Sequence, residues 1–116
     1  MPILNKDEDN KDEIFPGVDR YTLLDGTMGA ESLSLGDMSV SPGSTVRTHI
    51  HPTEEAMVIL DGELEAIIGD QVVTVTAGQT VLAPPGVKHG FVNRGKNSAR
   101  LMAIFPTATI ERTYVD

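Results

Sequence analysis

The stretch "ELEAIIGDQVVTVT", residues 63–76, sets Leu64, Ala66 and Ile68 at alternate positions, breaks at Gly69-Asp70, and resumes as a β-branched run. A period of two puts alternate side chains on opposite faces of an extended backbone, so this stretch predicts a β-hairpin. The same pattern recurs along the chain. "RYTLL" (20–24) runs into Asp25-Gly26, "EAMVIL" into Asp61-Gly62, "QTVLA" into Pro84-Pro85-Gly86, and "ARLMAIF" (99–105) into Pro106. Asp61-Gly62, like Gly69-Asp70, reads as a hairpin turn. In "ESLSLGDMSV" (31–40), Leu33 and Leu35 alternate, Gly36-Asp37 interrupts, and Met38 and Val40 follow; a turn or bulge that resets the phase is expected there. No window keeps an apolar period of 3.6 over several turns. About nine or ten short strands at close spacing predict an all-β sandwich or barrel.

A chain of 116 residues fits one domain, and with 4% aromatics and no Trp its core must be aliphatic. The formal net charge is -8, and "KDEDNKDE" (6–13) concentrates five acids and two lysines. Residues 1–16 are therefore expected to be an acidic, solvated leader, and residues 17–116, after the Pro16-Gly17 break, one barrel domain whose tail from Pro106 to Asp116 adds a last strand. A pI near 4.7 argues against nucleic acid and anionic membranes, both of which would repel the chain. Cysteine is absent, which excludes disulfides, thiolate metal sites and a cysteine nucleophile. The first twenty residues are charged and no stretch approaches the length of a membrane span, so a cytoplasmic protein is expected.

Histidine is rare and clustered. "RTHIHPTEEA" (47–56) holds two of the three, His49 and His51, and "PPGVKHGFVN" holds His89. On an extended strand His49 and His51 share a face, and Glu55 joins them if the strand resumes in phase after Pro52. A closed sheet can bring His89 opposite. Three imidazoles and a carboxylate suit one divalent transition metal (Mn, Fe, Co, Ni, Zn or Cu), and on a six-coordinate ion they leave two positions for substrate, water or dioxygen.

The punctuation around both clusters is also specific. Gly43, His49, His51, Glu55 and Gly62 are separated by five, one, three and six residues. Gly78, Pro84, Gly86, His89 and Asn93 are separated by five, one, two and three. Together they resemble the two signature motifs of the cupin superfamily, joined by a short link, 63–77. The resemblance implies a small cupin β-barrel, or double-stranded β-helix (jelly roll), commonly a homodimer. It implies metal ligands at His49, His51, Glu55 and His89, and architectural roles for Gly43, Gly62, Gly78, Gly86, Pro84 and Asn93. Glu54 is the rival carboxylate; strand parity and motif spacing both select Glu55.

Strand parity also suggests a pocket. Met57 and Ile59 follow Glu55 inward, and Phe91 and Asn93 follow His89. In the last long strand Met102 and Ile104 share one face, and Leu101, Ala103 and Phe105 the other; Met57, Ile59, Phe91 and Met102 are the expected pocket residues. Arg47, two before His49, should share the ligand face and could anchor an oxyanion. Tyr21 is a candidate acid, and Glu54 a candidate base if the metal occupies every histidine. The expected function is a metal-dependent enzyme on a small organic acid or sugar-like molecule, by dioxygenase, isomerase or Lewis-acid chemistry. The alternative is a non-catalytic module that binds a metal or small ligand as a sensor. Exposed strand edges would be a hazard for a lone small barrel, and pairing through an N-terminal strand and the tail "TIERTYVD" would cover them, so a homodimer is expected.

Overall fold

The computed structural model describes residues 1–115. Its eleven strands are β1 (Lys11–Phe15), β2 (Val18–Leu24), β3 (Ser34–Val40), β4 (Thr45–Ile50), β5 (Glu55–Asp61), β6 (Glu63–Ile68), β7 (Gln71–Thr76), β8 (Thr80–Ala83), β9 (His89–Val92), β10 (Ala99–Phe105) and β11 (Thr113–Tyr114). They form two antiparallel sheets, ordered β1-β2-β3-β10-β5-β8 and β11-β4-β9-β6-β7. From β3 onward the chain passes repeatedly from one sheet to the other, the winding of a double-stranded β-helix. The inner faces close on a mainly aliphatic core that includes Val18, Val40, Met57, Ile59, Leu64 and Leu101, with Phe91 and Phe105 as its aromatic members. No helix among the described residues is long and apolar enough to cross a membrane.

The hairpin expected at Gly69-Asp70 forms, with Ile68 opposite Gln71 and Glu63 opposite Thr76. Asp61-Gly62 does something different. β5 lies beside β10 and β8, and β6 beside β9 and β7, so this dipeptide is a corner between sheets rather than a hairpin turn. Gly62 has φ +81°, and a Cβ there would lie 3.0 Å from the Ser98 carbonyl oxygen and the Ala99 Cα. Only glycine permits both that backbone conformation and that close approach. Gly43, Gly78 and Gly86 take the same left-handed φ at their own turns.

Two further expectations need correction. β3 runs through Gly36-Asp37 without a turn or a change of phase, because Ser34, Gly36, Met38 and Val40 all face inward. Leu33 is consequently exposed. Asp37 is tolerated on the opposite face because the Arg100 guanidinium meets it through two bonds of 2.8 and 2.7 Å and Lys6 Nζ lies 3.0 Å away. The acidic segment 1–16, expected to be a solvated leader, supplies β1, which pairs with β2 from Lys11 opposite Tyr21 to Phe15 opposite Val18. Its apolar end, Ile14 and Phe15, packs against the core. Lys6 also sits 4.2 Å over the Tyr21 ring. Charge alone suggested solvation; the short apolar end of the run decides its place.

Candidate metal centre and cavity

Four side chains from three strands and one loop converge inside the barrel. His49 lies near the end of β4, His51 just beyond it, Glu55 opens β5 and His89 opens β9. One ligand atom from each lies within 4.8 Å of the others, and all four residues are buried. His49 and His89 are direct cross-strand partners, with ring centroids 4.4 Å apart; those of His49 and His51 are 4.7 Å apart.

Each ring is oriented from behind. His49 Nδ1 lies 2.6 Å from the Arg47 carbonyl oxygen, His51 Nδ1 2.7 Å from that of Glu111, and His89 Nδ1 3.0 Å from that of Val87. A carbonyl can only accept, so each Nδ1 carries the proton and donates it, leaving the lone pair of a neutral ring on Nε2, inside the cluster. Glu55 Oε1 lies 2.8 Å from His89 Nε2 and 3.3 Å from His51 Nε2. His51 Nε2 is buried and has no hydrogen-bond partner. Acceptor atoms facing one another around a carboxylate need a cation or a proton between them, and three backbone-anchored imidazoles with a carboxylate fit a divalent transition metal.

The electrostatics agree. Burial pushes His49 down to about 4, with the neighbouring His89 and His51 adding to the shift and the bond to Arg47 opposing it. The ring is therefore neutral at neutral pH, the form that ligates. Burial disfavours charge on both His89 and Glu55. The contact with Glu55 nevertheless raises His89, and the neighbouring His51 and His89 rings hold Glu55 below the usual carboxylate range.

A cavity of about 560 Å³ opens above the cluster, and His49, Glu55 and His89 line it. Met38, Met57, Phe91, Leu101 and Phe105 form much of its apolar wall. Met57 and Phe91 are thus where parity placed them. Ile59 is buried in the core but does not line the cavity, and Met102 faces away, half-buried on the outer side of its sheet, while Leu101, Ala103 and Phe105 face in. Asn93 is fully buried; its Nδ2 donates to the Val40 and Asn97 carbonyls, and its Oδ1 accepts from the Gly95 N–H, an architectural arrangement.

The three catalytic candidates lie outside the cavity. Glu54 is exposed, pointing away from Glu55 as alternation demands. Tyr21 alternates with Arg20 and Thr22, which face the cavity, and so it projects from the other side and donates its hydroxyl to Glu8. Arg47 departs from simple parity. The register of β4 on β9 shifts between Val46, opposite Phe91, and His49, opposite His89, so two residues on β4, Arg47 and Thr48, face the single Gly90 on β9. This bulge turns Arg47 outward, onto the Tyr114 ring at 4.4 Å, while Val46 and His49 both face in. Gly90 accommodates the bulge, since a Cβ there would stand 2.6 Å from the Val46 carbonyl oxygen.

Among the charged cavity residues, Asp25, Arg20 and Arg112 had no functional place in the sequence reading. Arg20 from β2 and Arg112 from the segment before β11 both line the wall. Arg20 lies two residues after the fully buried Val18, so alternation could have found it. Arg112 sits in an irregular tail with no periodic signal.

A family model described as "Cupin domain" matches residues 36–105. Among curated relatives, protein SchB of Streptomyces halstedii is 36% identical over 84 residues, covering 72% of this chain and 61% of that protein. Polyketide synthase CurC of Streptomyces cyaneus is 33% identical over 88 residues, covering 74% of this chain and 57% of that protein. The chain thus spans about three-fifths of the length of these relatives. Among solved structures, the polyketide cyclase RemF from Streptomyces resistomycificus superposes with a TM-score of 0.82 at 20% identity, covering 100% of this chain and 87% of that one. At that identity the likeness speaks for the fold.

Proposed function

The chain belongs to the cupin family, and from that premise we propose that it is a metal-dependent enzyme acting on a small, partly apolar organic molecule. The observation that carries this reading is the buried His49, His51, Glu55 and His89 set, its rings fixed by carbonyls from behind and opening onto the apolar cavity. These four side chains would hold the ion. A divalent cation bound there supplies a Lewis acid for a substrate oxygen. The apolar wall excludes water and orients the substrate body. With every histidine committed to the ion, proton transfer falls to a carboxylate. Asp25 is the carboxylate on the cavity wall outside the donor set, among the described residues, and we assign that role to it. The polyketide name of CurC favours non-oxidative chemistry on an enolisable carbonyl compound over dioxygen-dependent cleavage.

The test is turnover of a panel of polyketone-like substrates by metal-loaded and metal-stripped protein, followed by mass spectrometry with an oxygen electrode in the same cell. Metal-dependent product without oxygen uptake supports the reading, and oxygen consumption stoichiometric with product replaces it with a dioxygenase. Tight binding without product over long incubation with several metals makes the chain a binding module instead. Full turnover without metal removes the metal-enzyme class.

We further propose a homodimer. The outer face of the six-stranded sheet aligns Ala56, Val58, Leu82, Met102 and Ile104, and Leu82 is 56% exposed. A contiguous apolar sheet face of this kind is suited to a second copy.

A further inference from the structure

We propose that Arg20 and Arg112 form an anion clamp in the cavity, so that the molecule handled there is an organic anion, a carboxylate or enolate, on an apolar body. This inference rests on the reading of the cavity as a substrate site, and narrows it to one chemical class.

The starting observation is two unsatisfied donors. Arg20 and Arg112 both line the cavity, and the Nε of each is buried without a hydrogen-bond partner. An unpaired buried donor carries a desolvation penalty, larger on a charged group, so proteins seldom keep one without a use for it. Here two occur in one cavity, and both belong to cations.

The protein does not neutralise the pair. Asp12 forms an ion pair with Arg20, with Oδ2 3.6 Å from Nη2, but its side chain is 65% exposed and the contact leaves Nε unmet. Asp25 spends one carboxylate oxygen on the Thr27 N–H and hydroxyl. Glu55 is engaged by His51 and His89. The two guanidiniums also feel each other: burial, and then the charge of Arg112, lower the Arg20 pKa against the pull of Asp12 and Asp25.

Their placement relates the clamp to the metal centre. Arg112 follows Glu111, whose carbonyl holds His51, and precedes Thr113, which pairs with Ile50. Its charge is also felt at His49 and His89. Arg112 therefore sits on the donor-set side of the cavity, and Arg20 enters from the other sheet. A carboxylate or enolate offers acceptor lone pairs to both, and guanidinium–carboxylate bonds are among the stronger hydrogen bonds available. Met38, Phe91, Leu101 and Phe105 leave an apolar volume for the rest of the molecule. A neutral sugar would satisfy neither the charge nor the wall.

The experiment is calorimetric titration of the full chain with 2-naphthoate and its neutral counterpart 2-naphthamide, in metal-loaded and metal-stripped protein, with metal content measured in each sample. The stripped sample removes any ligation of the carboxylate by the ion. The clamp predicts that naphthoate binds at least about 10-fold more tightly than the amide in both samples. Arg20→Gln and Arg112→Gln should each abolish that preference, weakening naphthoate binding far more than amide binding, while metal content stays the same. Arg20→Lys and Arg112→Lys, which keep the charge, should restore part of it and serve in place of any glutamine variant whose circular dichroism shows it unfolded. Equal affinity for acid and amide, glutamine variants that retain the preference, or no naphthoate binding at millimolar concentration would each overturn the proposal. Arginine-dependent naphthoate binding by a protein that loads no metal would sustain the clamp and remove the metal reading. A loaded protein without the preference does the reverse.

Discussion

Replacing Asn93 tests how the scaffold locks the strand that carries His89. Asn93 is fully buried, lies just past the end of β9, and makes three side-chain hydrogen bonds, each 2.9 Å long: to the Val40 carbonyl, to the Asn97 carbonyl and from the Gly95 N–H. The bond to Val40 ties β9 to the end of a strand in the opposite sheet. Each bond contributes a net of about 1 kcal/mol, and truncation also strands buried polar partners, so Asn93→Ala should cost about 3 kcal/mol. Against a typical domain stability of about 5–15 kcal/mol this is a large loss. In a chain of this size it corresponds to a fall in Tm of about 10–15 °C. The assay is urea denaturation followed by far-ultraviolet circular dichroism, on metal-stripped protein so that ion binding does not add to apparent stability. A loss below about 1 kcal/mol with an unchanged denaturant slope would show that these bonds do not lock the end of β9.

Other expectations follow from single contacts. Glu55→Gln should weaken metal binding by at least about 10-fold while Glu54→Gln leaves it unchanged, as read by competition with a chromogenic chelator; equal effects would undo the parity argument. Bonding to Arg100 holds the Asp37 carboxyl below the usual carboxylate range, against burial and with help from Lys6. Its contribution to stability is therefore complete above the unfolded value of about 3.9 and is lost as pH falls through the lower folded value. Asp37→Asn should accordingly flatten the acid limb of a stability–pH curve, and parallel curves would contradict the assignment. Leu82→Asp should convert a dimer to a monomer in light scattering, whereas a wild-type monomer at about 50 μM would remove the proposed interface.

The residues that repeat with a period of two were legible in the sequence, and so were their consequences. β6, β7 and β10 begin and end where the alternation does. His49, His51, Glu55 and His89 meet because two spaced motifs place them on facing strands. Legibility failed where the local signal had two structural meanings. A pairing of Gly with Asp marks a hairpin turn at Gly69-Asp70 and a corner between sheets at Asp61-Gly62, and only the partner strands distinguish the two. Gly36-Asp37 looks like punctuation because the partners that let Asp37 stay in a strand, Arg100 and Lys6, are 63 and 31 residues away. The bulge at Arg47 is set by the pairing of β4 with β9, which alternation along one strand cannot reveal. Arg112 reaches the cavity through a tail anchored by single bonds, such as that from His51 to the Glu111 carbonyl.

Metal stoichiometry tests the central claim most directly. Plasma mass spectrometry of freshly purified protein, and of stripped protein after reloading with Mn²⁺, Fe²⁺, Ni²⁺ or Zn²⁺ followed by desalting, should give one ion per chain for the native sequence. His49→Ala, His51→Ala and His89→Ala, each checked for a native-like β spectrum, should fall to background. Metal content unaffected by all three substitutions, or a native chain that retains no divalent ion under any of these conditions, would contradict the account.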